Sequence, residues 1–235
     1  MGRSLTVSET DRPYEILRRL RQTIPIPAED FAASRVAKET MDPFRVLVVT
    51  ILSQNCTDIA ALRAYYRLDK AVGVTVARLR KAQLRTIGTA IRVAGLHKQK
   101  ARALRQLSVV IAEKYSGDFT SMLEGPFSEV RDRLQELPHV GPKTADVLLS
   151  ILGRPTISVD THVDRVSKRL GLAPVKGRYE VVRSALMQAF LGEDYRVVPM
   201  YFMALGRKFC RARRPLCAKC PINDLCPYDG KTKSA

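Results

Sequence analysis

Four of the chain's five cysteines fall within seventeen residues, as Cys210-x6-Cys217-x2-Cys220-x5-Cys226, and no other feature constrains the fold as strongly. The opening MGRSLTVSETDRP has no apolar secretory core, so an intracellular chain is expected, in the cytoplasm or at the nucleoid. In such a chain, clustered cysteines read as a metal centre before a disulfide framework. Four thiolates over so short a span can wrap one [4Fe–4S] cluster. Zinc modules usually carry two short-spaced pairs with a longer connection, and here only Cys217 and Cys220 form a short pair. The spacing favours iron–sulfur over zinc. Cys56 stands apart and reads as a small buried residue.

The rest of the chain reads as all-α. Pro13 opens YEILRRLRQ, in which Ile16, Leu17 and Leu20 share one face. Asp42 can cap a helix with Pro43 at its first position, and FRVLVVTIL then runs apolar nearly all round, as a buried helix does. Helical pattern continues over residues 56–68, 76–86, 87–94, 98–115 and 128–136. Pro142 starts KTADVLLSIL, which Gly153 and Pro155 stop. Asp160 is placed to cap THVDRVSKRL, ended by Gly171, and helical stretches over 179–190 and 198–207 follow. About ten helices with no convincing sheet define the class.

Charge narrows the partner. Forty Lys+Arg against twenty-three Asp+Glu leave +17, on a chain that is 46% apolar and so neither disordered nor short of core. No run approaches a membrane-spanning length. The charge is localised: residues 70–112 carry ten basic side chains and no acid, and residues 206–219 carry six more and no acid. Two such stretches point to a polyanionic partner.

The strongest local motif is LPHVGPKTADVLL, Leu137 to Leu149, a helix–hairpin–helix string. The helix starting at Pro142 presents unpaired main-chain N–H groups at the positive end of its dipole, suited to a phosphate held without reference to base sequence. Gly141 leaves room for close approach. An ordinary helical hairpin would read the same way, but Lys143 adds to it: the dipole opposes a cation in the first turn, an odd place for a purely structural lysine. Asp160, seventeen residues on, reads as a helix cap, or as a carboxylate that stabilises a developing sugar cation.

LPHVGPKTADVLL, ISVDTHVDR, ILSQNCTD at 51–58, AGLHKQKA at 94–101 and the cysteine array together resemble the helix-hairpin-helix DNA glycosylases, in their endonuclease III branch. The resemblance runs from about Tyr14 to Cys226. It implies two helical domains flanking a DNA-binding cleft: a six-helix module over residues 36–155, and an iron–sulfur domain from residues 1–35 and 156–235. Damaged pyrimidines would be flipped out of the duplex. Lys143 stands at the family's Schiff-base lysine and Asp160 at its aspartate, which implies a bifunctional glycosylase and AP lyase acting as a monomer on damaged or abasic double-stranded DNA. Cys210, Cys217, Cys220 and Cys226 would ligate the cluster. Arg211, Arg213 and Arg214 lie in the first inter-cysteine loop, and His139, Val140, Gly141 and Thr144 would meet the DNA backbone.

Two positions depart from the family pattern. His139 replaces the first glycine of LPGVG, a steric cost if its φ is positive. Asn55 stands where the family has the glutamine that fills the space of the flipped nucleotide, with Gln54 just before it. Leu96 matches the family's other intercalating position, an apolar wedge. The alternatives are a mismatch or uracil glycosylase on the same scaffold, a non-catalytic iron–sulfur DNA-binding protein, and a zinc-stabilised interaction protein.

Overall fold

Pro13 sits in the first turn of α1 (Arg12–Thr23), where its missing N–H costs nothing, and Ile16, Leu17 and Leu20 bury the inner face. The computed structural model describes residues 8, 10–26 and 31–232; residues 1–7 and 9 of the opening stretch read for a secretory leader lie outside them. Along the chain follow α2 (Ala32–Thr40), α3 (Pro43–Ser53), α4 (Asp58–Ala71), α5 (Val76–Lys81), α6 (Leu84–Ala90), α7 (His97–Lys114), α8 (Phe127–Gln135) and α9 (Pro142–Ile151). Then come α10 (Thr161–Arg169), α11 (Tyr179–Ala189) and α12 (Val197–Lys208). The described residues contain helices and no strand, and no helix among them is long and apolar enough to cross a membrane.

The chain divides into two compact units, Pro27–Arg154 and the combination of Met1–Ile26 with Pro155–Ala235. Each has its own apolar core. The boundary expected at residue 36 falls inside α2. In the Pro27–Arg154 unit α3 is the axis, with every residue from Val46 to Leu52 buried. Asp42 caps it as expected, accepting from the Phe44 and Arg45 N–H groups. The other unit joins α1 to the carboxyl-terminal segment: Arg12 donates to the carbonyls of Leu170 and Leu225, and Arg19 pairs with Asp224. Gly206 on α12 lies so close to α10 that an added Cβ would stand 3.0 Å from His162.

Two helix assignments differ from the sequence pattern. Nothing marks a helix between Thr23 and Asp42, yet α2 forms there. Its inner face has only Ala32 and Val36, and its N-cap residue Phe31 offers no capping side chain, so packing against α3 and the distant Asp58 carboxylate, which accepts from the Ala32 N–H at 3.2 Å, hold it rather than local signals. The stretches 76–86 and 87–94 divide elsewhere: Ala82 and Gln83 are extended and end α5, α6 runs across the expected break to Ala90, and Arg92–Ala94 is a 3₁₀ turn.

In the helical hairpin, α8 is pinned to α9 by one ion pair. Arg131 donates to both oxygens of Asp146 at 2.8 and 2.9 Å, and the Asp146 side chain is 0% exposed. Removing one partner from such a pair leaves a buried charge uncompensated. Arg131→Ala is therefore expected to lower the free energy of unfolding by about 3 kcal/mol. Denaturant titration checks it, and a loss below about 1 kcal/mol would give the pair only the weight of a surface contact.

Candidate functional site

The turn Leu137–Gly141 joins α8 to α9. The Val140 N–H donates to the Leu137 carbonyl, closing the turn, and the Ala145 N–H bonds back to Gly141. Among the described residues the main-chain N–H groups of Gly141, Lys143 and Thr144 have no acceptor, so three donors converge at the start of α9. Gly141 is extended, and a Cβ built on it would meet nothing within 4 Å. Neither backbone angle nor internal packing demands glycine there; the open space faces outward, where an anion would approach. Lys143 is exposed in the same turn.

Two residues expected at the DNA behave differently. Val140 is buried in the core and its N–H is spent on Leu137, so neither its side chain nor its main-chain donor faces outward. The Thr144 side chain is also buried, and its hydroxyl accepts from the Gln54 amide at 3.2 Å. Only the Thr144 N–H stays available.

That Gln54–Thr144 bond ties the end of α3 to the first turn of α9. Beyond it, Gln54, Asn55, Leu96 and His139 line one small pocket with Ile51, Gln99, Lys100 and Ala103. Four residues singled out separately in the sequence thus share one surface. Asn55 (φ 55°), Leu96 (φ 46°) and His139 (φ 64°) are all left-handed and all exposed, Leu96 by 54%. Left-handed backbone at non-glycine positions costs roughly 1–3 kcal/mol each, and such strain gathers at functional sites.

In the other unit Asp160 caps α10. One carboxylate oxygen accepts from the N–H groups of His162 and Val163, at 2.9 and 2.7 Å, while the second has no partner among the described residues. The cap fixes the carboxylate and leaves one oxygen free to act outward. Beside it, burial pushes the His162 ring below its usual pKa.

The four clustered cysteines line one cavity with Val166, Leu170, Leu205, Phe209 and Ile222. A donor set of four thiols lining one apolar-walled cavity fits an iron–sulfur cluster. Burial pushes the Cys220 thiol up to about 11, so loading must expel its proton. Arg169, unremarked in the sequence, reaches Cys210 Sγ at 3.4 Å and donates to the carbonyls of Arg211 and Ala212. Tyr228 stacks on it, 4.7 Å from the ring centre. The loop so held presents Arg211, Arg213 and Arg214 to solvent.

Comparison with known proteins agrees with this geometry. Residues 48–190 match the model of the HhH-GPD superfamily base excision DNA repair protein. The chain belongs to that family. Residues 210–226, the cysteine array, match the iron–sulfur binding domain of endonuclease III. Endonuclease III of Sulfolobus acidocaldarius is 36% identical over 220 residues, covering 93% of this chain and 96% of that protein. The Escherichia coli (strain K12) enzyme is 34% identical over 219 residues, covering 92% and 95%. A trapped endonuclease III–DNA covalent intermediate is similar in structure, with TM-score 0.71, 31% identity, and 92% and 95% of the two chains covered. The chain is an endonuclease III-type enzyme of base excision repair, a bifunctional DNA glycosylase with AP lyase activity that carries a [4Fe–4S] cluster and binds DNA.

His139 holds a left-handed φ of 64°, a conformation that glycine would take without cost. His139→Gly is expected to raise the unfolding free energy by about 0.5–1 kcal/mol, the relief being partly offset by the freer unfolded chain. A denaturation midpoint that stays put or falls would mean the histidine makes compensating contacts.

Proposed function

We propose that this enzyme removes oxidised pyrimidines from duplex DNA, with Lys143 as its nucleophile. The observation that carries the reading is the exposed Lys143 in the same helical turn as three free main-chain donors. Those donors hold a backbone phosphate without reading sequence and set the amine beside the sugar. The Lys143 amine attacks C1′ through its nitrogen lone pair, and the C1′–N bond to the base breaks, its electron pair leaving with the base, which takes up a proton. Nζ gives up a proton, and its lone pair then forms C1′=Nζ as the C1′–O4′ bond breaks and O4′ takes a proton, so the ring-opened deoxyribose remains on Lys143 as a protonated imine. Loss of a C2′ proton then expels the 3′ phosphate, cutting the strand 3′ to the lesion.

Asp160 supplies a carboxylate whose free oxygen stabilises positive charge developing on the sugar. Asn55 and Leu96 enter the space opened in the duplex, while Gln54 positions the turn through Thr144. His139 flanks them. Arg211, Arg213 and Arg214 contact phosphates. Cys210, Cys217, Cys220 and Cys226 are the cluster ligands; when bound, the cluster cross-links four chain positions and so sets the shape of the arginine loop. The Pro27–Arg154 unit is the helix-hairpin-helix module and its companion the iron–sulfur domain, and the enzyme acts as a monomer on nucleoid DNA.

Borohydride in the presence of an abasic or thymine-glycol duplex is expected to trap a covalent protein–DNA adduct with the wild-type chain and none with Lys143→Ala. An adduct that persists in the variant would move the nucleophile elsewhere, and none with the wild type would remove the lyase step.

Asp160 can be divided into cap and charge. Asparagine caps about as well as aspartate, so Asp160→Asn should hold stability to within about 0.5 kcal/mol, whereas Asp160→Ala should lose about 1 kcal/mol. Base release should fall in both variants; a fall confined to Asp160→Ala would make Asp160 a cap alone.

A further inference from the structure

Lys100 is the buried cation that the chemistry above leaves unused. It lies in the first turn of α7, is 4% exposed, and its Nζ donates to the carbonyl of Leu52 at 2.7 Å and of Ala94 at 2.9 Å. Burial lowers its pKa. A buried ammonium is costly and is retained where something needs it.

The two carbonyls it holds end the two segments that matter most. Leu52 is in the last turn of α3, where carbonyls lose their helical partners. The neighbouring carbonyls of Ile51 and Ser53 accept main-chain N–H groups from Gln54 and Cys56. Leu52 is served instead by side chains, Lys100 and the Cys56 thiol at 3.0 Å. Ala94 ends a short 3₁₀ turn directly before Gly95 and Leu96, both left-handed. Its carbonyl, too, meets no main-chain N–H among the described residues. One ammonium therefore joins the turn carrying Asn55 to the turn carrying Leu96, from beneath the pocket that both line.

We propose that Lys100 is a positioning residue: it locks these two turns together, so that Asn55 and Leu96 meet damaged DNA as one preformed wedge. The inference rests on the reading of Asn55 and Leu96 as the residues that enter the duplex. Preorganisation acts by removing the ordering cost that loose turns would incur on binding. An apolar residue of similar length could fill the volume but would orphan the Ala94 carbonyl, leave the Leu52 carbonyl to the Cys56 thiol alone, and make the turns independent.

The test uses the cluster-loaded full chain as wild type, Lys100→Met, Lys100→Gln and Leu96→Ala. Each is measured for affinity to an undamaged duplex and to one containing a tetrahydrofuran abasic analogue. A 2-aminopurine beside the lesion reports unstacking by its fluorescence. Lys100→Met is expected to bind undamaged duplex within about twofold of wild type, but to lose about tenfold in affinity for the abasic duplex together with the unstacking signal. Lys100→Gln, which keeps a donor but is too short to span both carbonyls, should show the same selective loss and serves where the methionine variant does not fold. Wild-type discrimination and unstacking in the folded variants, or equal loss on both duplexes, would overturn the proposal. Leu96→Ala separates the two ideas: if it also leaves lesion binding unchanged, the wedge reading fails; if it weakens lesion binding while the Lys100 variants do not, only the role of Lys100 fails.

Discussion

The arrangement at Lys143 depends on one ion pair out of sight of it. Asp146 lies one turn along α9 from Lys143, wholly enclosed, and Arg131 from α8 grips both its oxygens. A carboxylate buried that deeply is tolerable only with its partner in place, so the geometry admits little choice in how α8 and α9 pack. That packing sets where the hairpin opens and therefore where the donors of Gly141, Lys143 and Thr144 point. It also fixes the Thr144 hydroxyl that receives Gln54, and so the turn bearing Asn55. The chemistry is presented at the surface, while the constraint that orders it sits in the core.

Signals contained within a few residues could be read directly from the chain. Asp42 and Asp160 cap the helices expected of them, because a cap needs only its own side chain and the next two or three N–H groups. The cysteine array and the hairpin string are equally local. Helix α2 was silent because its two inward residues are small and its stability comes from a neighbour. Val140 misled for a related reason: in the string Pro-His-Val-Gly nothing shows which residue turns inward, and the turn hydrogen bond to Leu137 decides it. The roles of Lys100 and Arg169 could not be read at all. Their carbonyl partners lie up to 48 and 43 residues away, and any carbonyl in the chain is the same group in the sequence.

The backbone strain follows the same division. Asn55, Leu96 and His139 sit in left-handed conformations, which asparagine and histidine tolerate better than leucine, and all three line one outward-facing pocket. A chain selected only for stability would place glycine at such points, as it does at Gly95, Gly153 and Gly171. On the proposed reading, in which these residues enter a base stack, an amide, an apolar wedge and an imidazole presented together have a use there that glycine could not supply.

Lys100 and Arg169 belong to a wider habit of this chain. Arg12 holds the carbonyls of Leu170 and Leu225, Arg154 those of Leu123 and Gly125, and Arg165 those of Thr161, Gly206 and Cys210. In each case a cation fastens loops and helix ends by their carbonyl oxygens rather than through a carboxylate. An ion pair would tie the same segments but cancel the charge. A carbonyl carries only a dipole, so the cation keeps its full charge and still contributes to the field of the surface above it. For a protein that must attract a polyanion this resolves a conflict, because the bonds that stiffen its loops do not consume the charge that draws the DNA. The acid-free runs over residues 70–112 and 206–219 are then more than a coating of positive charge. Within them, Lys100 is a fastener, and the main chain of Cys210–Ala212 is what Arg165 and Arg169 fasten.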